Sequence, residues 1–118
     1  MPQNVSRVVY KICPADLWAE AEAKGVFAGA QVDHQDGFIH FSTAAQAQET
    51  ARRHFAGQAG LKLVAVEVAP LGAALKWEPS RGGDLFPHLY GPLPLSAVAW
   101  VKDLPLGADG AHAFPEME

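Results

Sequence analysis

Residues 36–43 read DGFIHFST. A short apolar run, Phe38, Ile39 and Phe41, carries one histidine, His40, in its middle. In an extended chain the side chains alternate, so Phe38, His40 and Ser42 share one face while Ile39 and Phe41 take the other. Thr43 and Gln46 then stand at the T-x-x-Q spacing of a capping box: the threonine oxygen accepts from an early helix N–H, and the glutamine reaches back to the cap. A strand therefore hands over directly to a helix. That helix is expected to run to about Phe55, with Ala47, Ala51 and Phe55 four apart on an inward face and Glu49 and Arg53 paired on another. Gly57 ends it. His40 is left beside a helix start, where backbone N–H groups favour an anion.

Working outward, VSRVVYKI (5–12) is rich in β-branched residues and predicts a first strand. Pro14 suits the first turn of a helix, PADLWAEAEAKG, whose apolar face is Leu17, Trp18 and Ala21 and whose stop is Gly25. Residues 25–37 read as a loop holding Asp33, His34 and Asp36. LKLVAVEV (61–68) is nearly all apolar rather than alternating, which predicts a central strand buried on both faces. Pro70 and Gly72 turn the chain into ALKWE (74–78), another short strand. PSRGGDLFPHLYGPLPL (79–95) reads as a long Pro- and Gly-rich loop, and such loops in small domains are disproportionately functional. SAVAWVKDL closes as a last strand, and the tail, GADGAHAFPEME, reads as frayed or loosely docked. The order predicts α+β: a single compact domain over residues 1–118, core about 5–104 and tail 105–118, with two main helices against a bent or split, antiparallel-rich sheet.

The totals agree with one domain. The 118 residues are 49% apolar, enough for a core, and contain no repeats or low-complexity tracts. No apolar stretch is long enough to span a bilayer, and MPQNVSRVVYK lacks the core of a signal peptide. The single cysteine, Cys13, precludes an internal disulfide, which points to a reducing cytoplasm. Net charge is −4 and the basic residues are scattered, so bulk nucleic-acid binding is not expected, whereas a small ligand is open.

Candidate chemistry centres on histidine. His40 is a core histidine or a phosphate or sugar contact. His88 and Tyr90, in FPHLYGPLP, point the same way in an extended segment stiffened by Pro87 and Pro92: a rigid connector or a pocket wall. Trp77 and Glu78 precede that segment, and SRGGD (80–84) is a weak phosphate-cradle signal with Arg81 as cation. A metal set from His34, His40 and His88 with Asp33, Asp36 or Glu78 lacks the usual ligand spacing, so no metal is assigned. Cys13 reads as a small buried cysteine, and no G-x-S-x-G elbow is present.

Taken together, VYKI with Trp18, DGFIHFST with Gln46 and Thr50, LKLVAVEV and LKWEPSRGGDLFPHLYGPLPL resemble the bacterial family catalogued as domain of unknown function 952, from about Val8 to Val101. More distantly, the chain resembles the ADP-ribosyltransferase-like fold, including the tRNA 2′-phosphotransferases. Lys11 stands where those enzymes carry a ribose-contacting His or Arg. His40 takes the place of an aromatic that stacks on nicotinamide, and Arg53 and His54 lie near an Arg-rich helix end. The pattern departs at the third motif, where a late-strand glutamate is expected and His88 and Tyr90 stand instead, with Glu78 and Asp84 earlier.

The resemblance implies a split sheet around a dinucleotide cleft, NAD as substrate, and transfer of an ADP-ribosyl or phosphoryl group. The resulting expectation is a polar cleft for a nucleotide-like or otherwise phosphorylated small molecule. His40, His88 and Tyr90 are its catalytic candidates, and Lys11, Ser42, Trp77, Glu78 and Arg81 its ligand-binding ones. The alternatives are a non-catalytic binding module and an interaction domain docking through FPHLYGPLP.

Overall fold

A computed structural model describes residues 7–117, the side chain of Arg81 excepted. Strand β1 (Val8–Pro14) leads through Pro14 into helix α1 (Ala15–Lys24), which stops at Gly25. Gly25 adopts φ 83°, a conformation that costs glycine nothing, and returns its N–H to the Ala21 carbonyl. The short strand β2 (Val26–Phe27) follows, then helix α2 (Gln31–Asp36) and strand β3 (Ile39–His40). Thr43 caps helix α3 (Ala44–His54) through the full reciprocal capping box. Strands β4 (Leu61–Glu67), β5 (Leu75–Pro79), β6 (Leu85–Leu89), β7 (Leu93–Pro94) and β8 (Val98–Leu104) complete the chain, with single 3-10 turns between several of them.

The strands form three antiparallel groups, ordered β1-β4-β8, β2-β7 and β3-β6-β5. The expected split α+β architecture is thus present. So is the expected central position of β4, whose Leu63, Val64, Ala65 and Val66 are all fully buried between β1 and β8. One joint ties the first group to the third: Tyr10 N–H donates to the Ser42 carbonyl (2.7 Å), and Ser42 N–H donates to the Tyr10 carbonyl (2.8 Å). Two apolar clusters fill the fold. One, with Val9, Trp18, Phe27, Ile39, Phe41, Val64 and Leu89, lies between the sheets; the other, with Tyr10, Leu63, Ala65 and Leu104, lies under α3.

Two expectations need correction. The segment 25–37 is not all loop: α2 occupies six of its residues. QVDHQD offers neither an apolar stripe nor a Ser or Thr cap; what starts the helix is Asp33, whose carboxylate reaches back to accept from Ala30 N–H at 2.7 Å. The segment 79–95 is not a long loop either, since β6 is the middle strand of its sheet. Pro87 hides this in the sequence, because proline is rare in central strands. Its carbonyl accepts from Phe41 N–H (3.0 Å), and the donor it lacks falls on that same side, just past the end of two-residue β3. The tail makes contacts with the body of the fold. Leu106 bridges His112, His112 Nε2 bonds the Gln58 carbonyl at 2.8 Å, and Phe114 and Met117 pack on the second cluster.

Thr43→Ala should remove the cap of α3 and lower stability by about 1 kcal/mol, seen as a lower urea midpoint with an unchanged denaturant slope.

Candidate functional site

The β3-β6-β5 sheet sorts its side chains by alternation. Ile39, Phe41, Leu75 and Leu89 enter the main core, and Trp77 packs against it. The opposite face carries Phe38, His40, His88, Tyr90 and Glu78, which touch one another. His40 lies directly across from His88 in the strand register, and their rings are 5.5 Å apart, edge to face. Phe38 stacks on His88 at 4.1 Å and lies 4.7 Å from His40 and 5.2 Å from Tyr90, centroid to centroid. A cleft of about 500 Å³ opens beside this face. Lys11, Asp36, His40, Ser42, Thr50, His54, Ser80 and His88 line it together with Tyr10, Phe41, Phe55 and Phe86.

Behind the cleft sits Asp33, only 3% exposed. Lys11 Nζ donates to its Oδ1 at 3.0 Å and forms an ion pair with its Oδ2 at 2.9 Å. The backbone N–H groups of Ala30 and His40 donate at 2.7 and 3.0 Å, and His40 Nδ1 lies 2.6 Å from Oδ1. Burial alone would raise the Asp33 carboxyl. The His40 bond, the Lys11 charge and the two backbone donors outweigh it and hold the group well below the usual carboxylate range. Gly29 makes room: at φ 116° it passes so near that a Cβ there would lie 3.0 Å from Asp33 Cβ. His40 is clamped on its other side as well, with Nε2 2.8 Å from Asp36 Oδ2.

His88 belongs to a second constellation. Its ring is buried, and Nδ1 donates to Glu78 Oε1 at 2.7 Å. Tyr90 Oη donates to the same carboxylate at 2.9 and 3.2 Å. The His88 bond, then the Tyr90 bond, lowers the Glu78 carboxyl, and the Glu78 bond raises the Tyr90 phenol. Glu78 is therefore a pure acceptor here.

The structure brings Lys11, His40, Ser42 and His88 to one cleft. It places Glu78 and Tyr90 behind His88, and Trp77 with the core on the other face of β5. Arg81 opens the 3-10 turn Arg81–Gly83; its side chain lies outside the described residues. Ser42 Oγ pairs with Thr50 Oγ1 at 2.9 Å on the cleft wall. Cys13 is buried two residues beyond Lys11, and burial pushes its thiol up to about 11, which leaves it a poor nucleophile. Among the described residues, no three His, Cys, Asp or Glu side chains are grouped as metal ligands, and no helix is long and apolar enough to cross a membrane. Sequence reading named Asp33 but gave it no role beyond a metal set, and it missed Phe38 as an aromatic partner of the histidines. The signal available for Asp33 was an acid at the third position of a short helix with Gly37 at its end.

The profile of the family described as protein of unknown function (DUF952) matches residues 12–101. The chain belongs to this family. It is similar to protein CC0527 from Caulobacter crescentus. The crystal structure of that protein superposes with a TM-score of 0.86 at 55% identity, over 90% of this chain and 93% of that one. Its solution NMR structure gives a TM-score of 0.80 at 56% identity, over 88% and 90%. No curated protein matches the chain.

Asp33→Ala should cost about 3–5 kcal/mol, because it strands the buried Lys11 ammonium, and Lys11→Met in the same chain should recover part of that loss. The acid limb has a defined sign. The Asp33 carboxyl titrates near 3.8 when unperturbed and lower when folded, so its stabilisation is complete above about pH 4 and drains away as pH falls further. Urea unfolding across that range should show a steeper acid loss in wild type than in Asp33→Asn.

Proposed function

We propose that the cleft beside β3 and β6 binds a small nucleotide-like or otherwise phosphorylated or ribosylated molecule. The observation that carries this reading is the cleft itself: about 500 Å³, walled by aromatic rings and by two histidines whose orientations are fixed by buried or partly buried carboxylates. A cavity of this volume suits a nucleoside-sized ligand, and predominantly apolar walls with a few fixed polar groups are the usual make-up of such sites. Phe55, half-buried at the cleft wall, offers flat area for a ring, and the histidine wall offers hydrogen-bonding edges.

The distant resemblance to ADP-ribosyltransferase-like enzymes favours NAD or ADP-ribose among the ligands and group transfer among the reactions. Lys11 enters this reading differently from the sequence expectation. Lys11 is only 5% exposed and its ammonium is engaged with both oxygens of Asp33, so it serves the site chiefly by fixing Asp33 and, through it, His40. A buried thiol and the lack of a disulfide suit a reducing compartment such as the cytoplasm. The docking alternative through FPHLYGPLP is less favoured, because Phe86, Pro87, His88, Leu89 and Leu93 are buried, which leaves Tyr90 as its one exposed large side chain beside Gly91, Pro92 and Pro94.

A thermal-shift panel of NAD, ADP-ribose, mononucleotides and phosphorylated sugars tests the reading. A ligand of this site should raise stability by roughly 2.7–4 kcal/mol at a hundred- to thousandfold excess over its Kd, and Phe86→Ala should abolish the shift. A panel without any shift overturns the assignment.

A further inference from the structure

We propose that His88 Nε2 is the proton acceptor of the cleft, with Glu78 and Tyr90 as the residues that position it. This deepens, and rests on, the reading of the cleft as a ligand site. The argument starts from the two ring nitrogens. Glu78 carries its negative charge and can only accept, so the 2.7 Å contact requires the ring proton on Nδ1. In the neutral ring that leaves Nε2 with a bare lone pair. No described residue hydrogen-bonds Nε2, and no buried side-chain nitrogen or oxygen among the described residues lacks a partner. Nε2 is therefore reached by solvent, and the space His88 lines is the cleft.

His40 does not compete for this role. Both its nitrogens lie against carboxylate oxygens, at 2.6 Å from Asp33 and 2.8 Å from Asp36, so neither nitrogen faces the cleft unengaged. The stacked Phe38 ring, 4.1 Å away, and the Tyr90–Glu78 bonds hold the His88 ring in one orientation. An oriented imidazole with a carboxylate behind Nδ1 and a free Nε2 in front is the arrangement that takes a proton from an O–H group.

The step balances without any co-reactant. The O–H bond of a water or a ligand hydroxyl breaks, and its proton goes to Nε2. The oxygen uses the freed pair to bond to the ligand's phosphoryl or glycosyl centre. The bond to the leaving atom breaks with its electron pair, and that atom takes the proton back from Nε2. The substrate class this implies is a small molecule carrying a transferable phosphoryl or glycosyl group, with water or a hydroxyl as acceptor.

The test is made on the free 118-residue chain. Nitrogen-15 NMR of labelled histidines reads which nitrogen holds the proton, and diethyl pyrocarbonate, followed peptide by peptide in a mass spectrometer, reads whether Nε2 is an accessible nucleophile. The expected result is the Nδ1–H form at His88 and ready modification there. In Glu78→Ala the proton should move toward Nε2 and modification should slow several-fold, with Glu78→Asp restoring part of the wild-type signature; far-ultraviolet circular dichroism confirms that each variant is folded. A wild-type ring protonated on Nε2, or a His88 modified equally fast with and without Glu78, overturns the proposal. Intact signatures beside a thermal-shift panel with no responding ligand would sink the ligand reading and leave the His88 assignment standing.

Discussion

One buried carboxylate holds this molecule's functional half together. Asp33 gathers an ammonium from β1, the N–H that opens α2, and both the backbone and the ring of His40 on β3. An unpaired carboxylate at such depth would be prohibitively desolvated; a carboxylate with this many donors is instead a fixed point. Strand β1 is thereby pinned to the consecutive segments α2 and β3, and the short strand β3 is held in register against β6. His40 faces His88 because Asp33 and the ladder with β6 agree on where β3 must lie.

The second constraint is the joint at Tyr10 and Ser42. Two backbone hydrogen bonds connect the first sheet to the third directly, beside the link that Asp33 makes between Lys11 and His40. The chain then turns at once into α3, whose capping box satisfies early N–H groups locally. The cleft forms in the angle between these elements, with β1, the Ser42–Thr50 pair and the histidine face as walls. Its polar groups are nearly all committed to one another, so the arrangement is preorganised before any ligand arrives.

The two histidines illustrate how environment separates like residues. Each is oriented by a carboxylate at Nδ1. Asp36 then takes the second nitrogen of His40, whereas nothing among the described residues takes that of His88. Position on neighbouring strands gives them proximity; the second carboxylate gives them different chemistry.

The sequence by itself determined the parts that local physics controls. The T-x-x-Q spacing set the start of α3, Gly25 set the end of α1, and the unbroken apolar run of 61–68 declared a strand covered on both faces. The alternation in GFIHF already separated His40 from Ile39 and Phe41. Only tertiary structure decided the rest. The helix at 31–36 exists because Asp33 finds donors at the Ala30 cap and beyond it, on Lys11 and His40, which no periodicity announces. Leu85–Leu89 is a central strand because the missing donor of Pro87 falls where its neighbour has already ended, a coincidence of register that composition cannot carry. The division of labour between His88, Glu78 and Tyr90 likewise depends on which face of β5 meets which face of β6. Pairing between strands is non-local, so its register, and with it the identity of a site built across strands, is fixed only when the chain closes on itself.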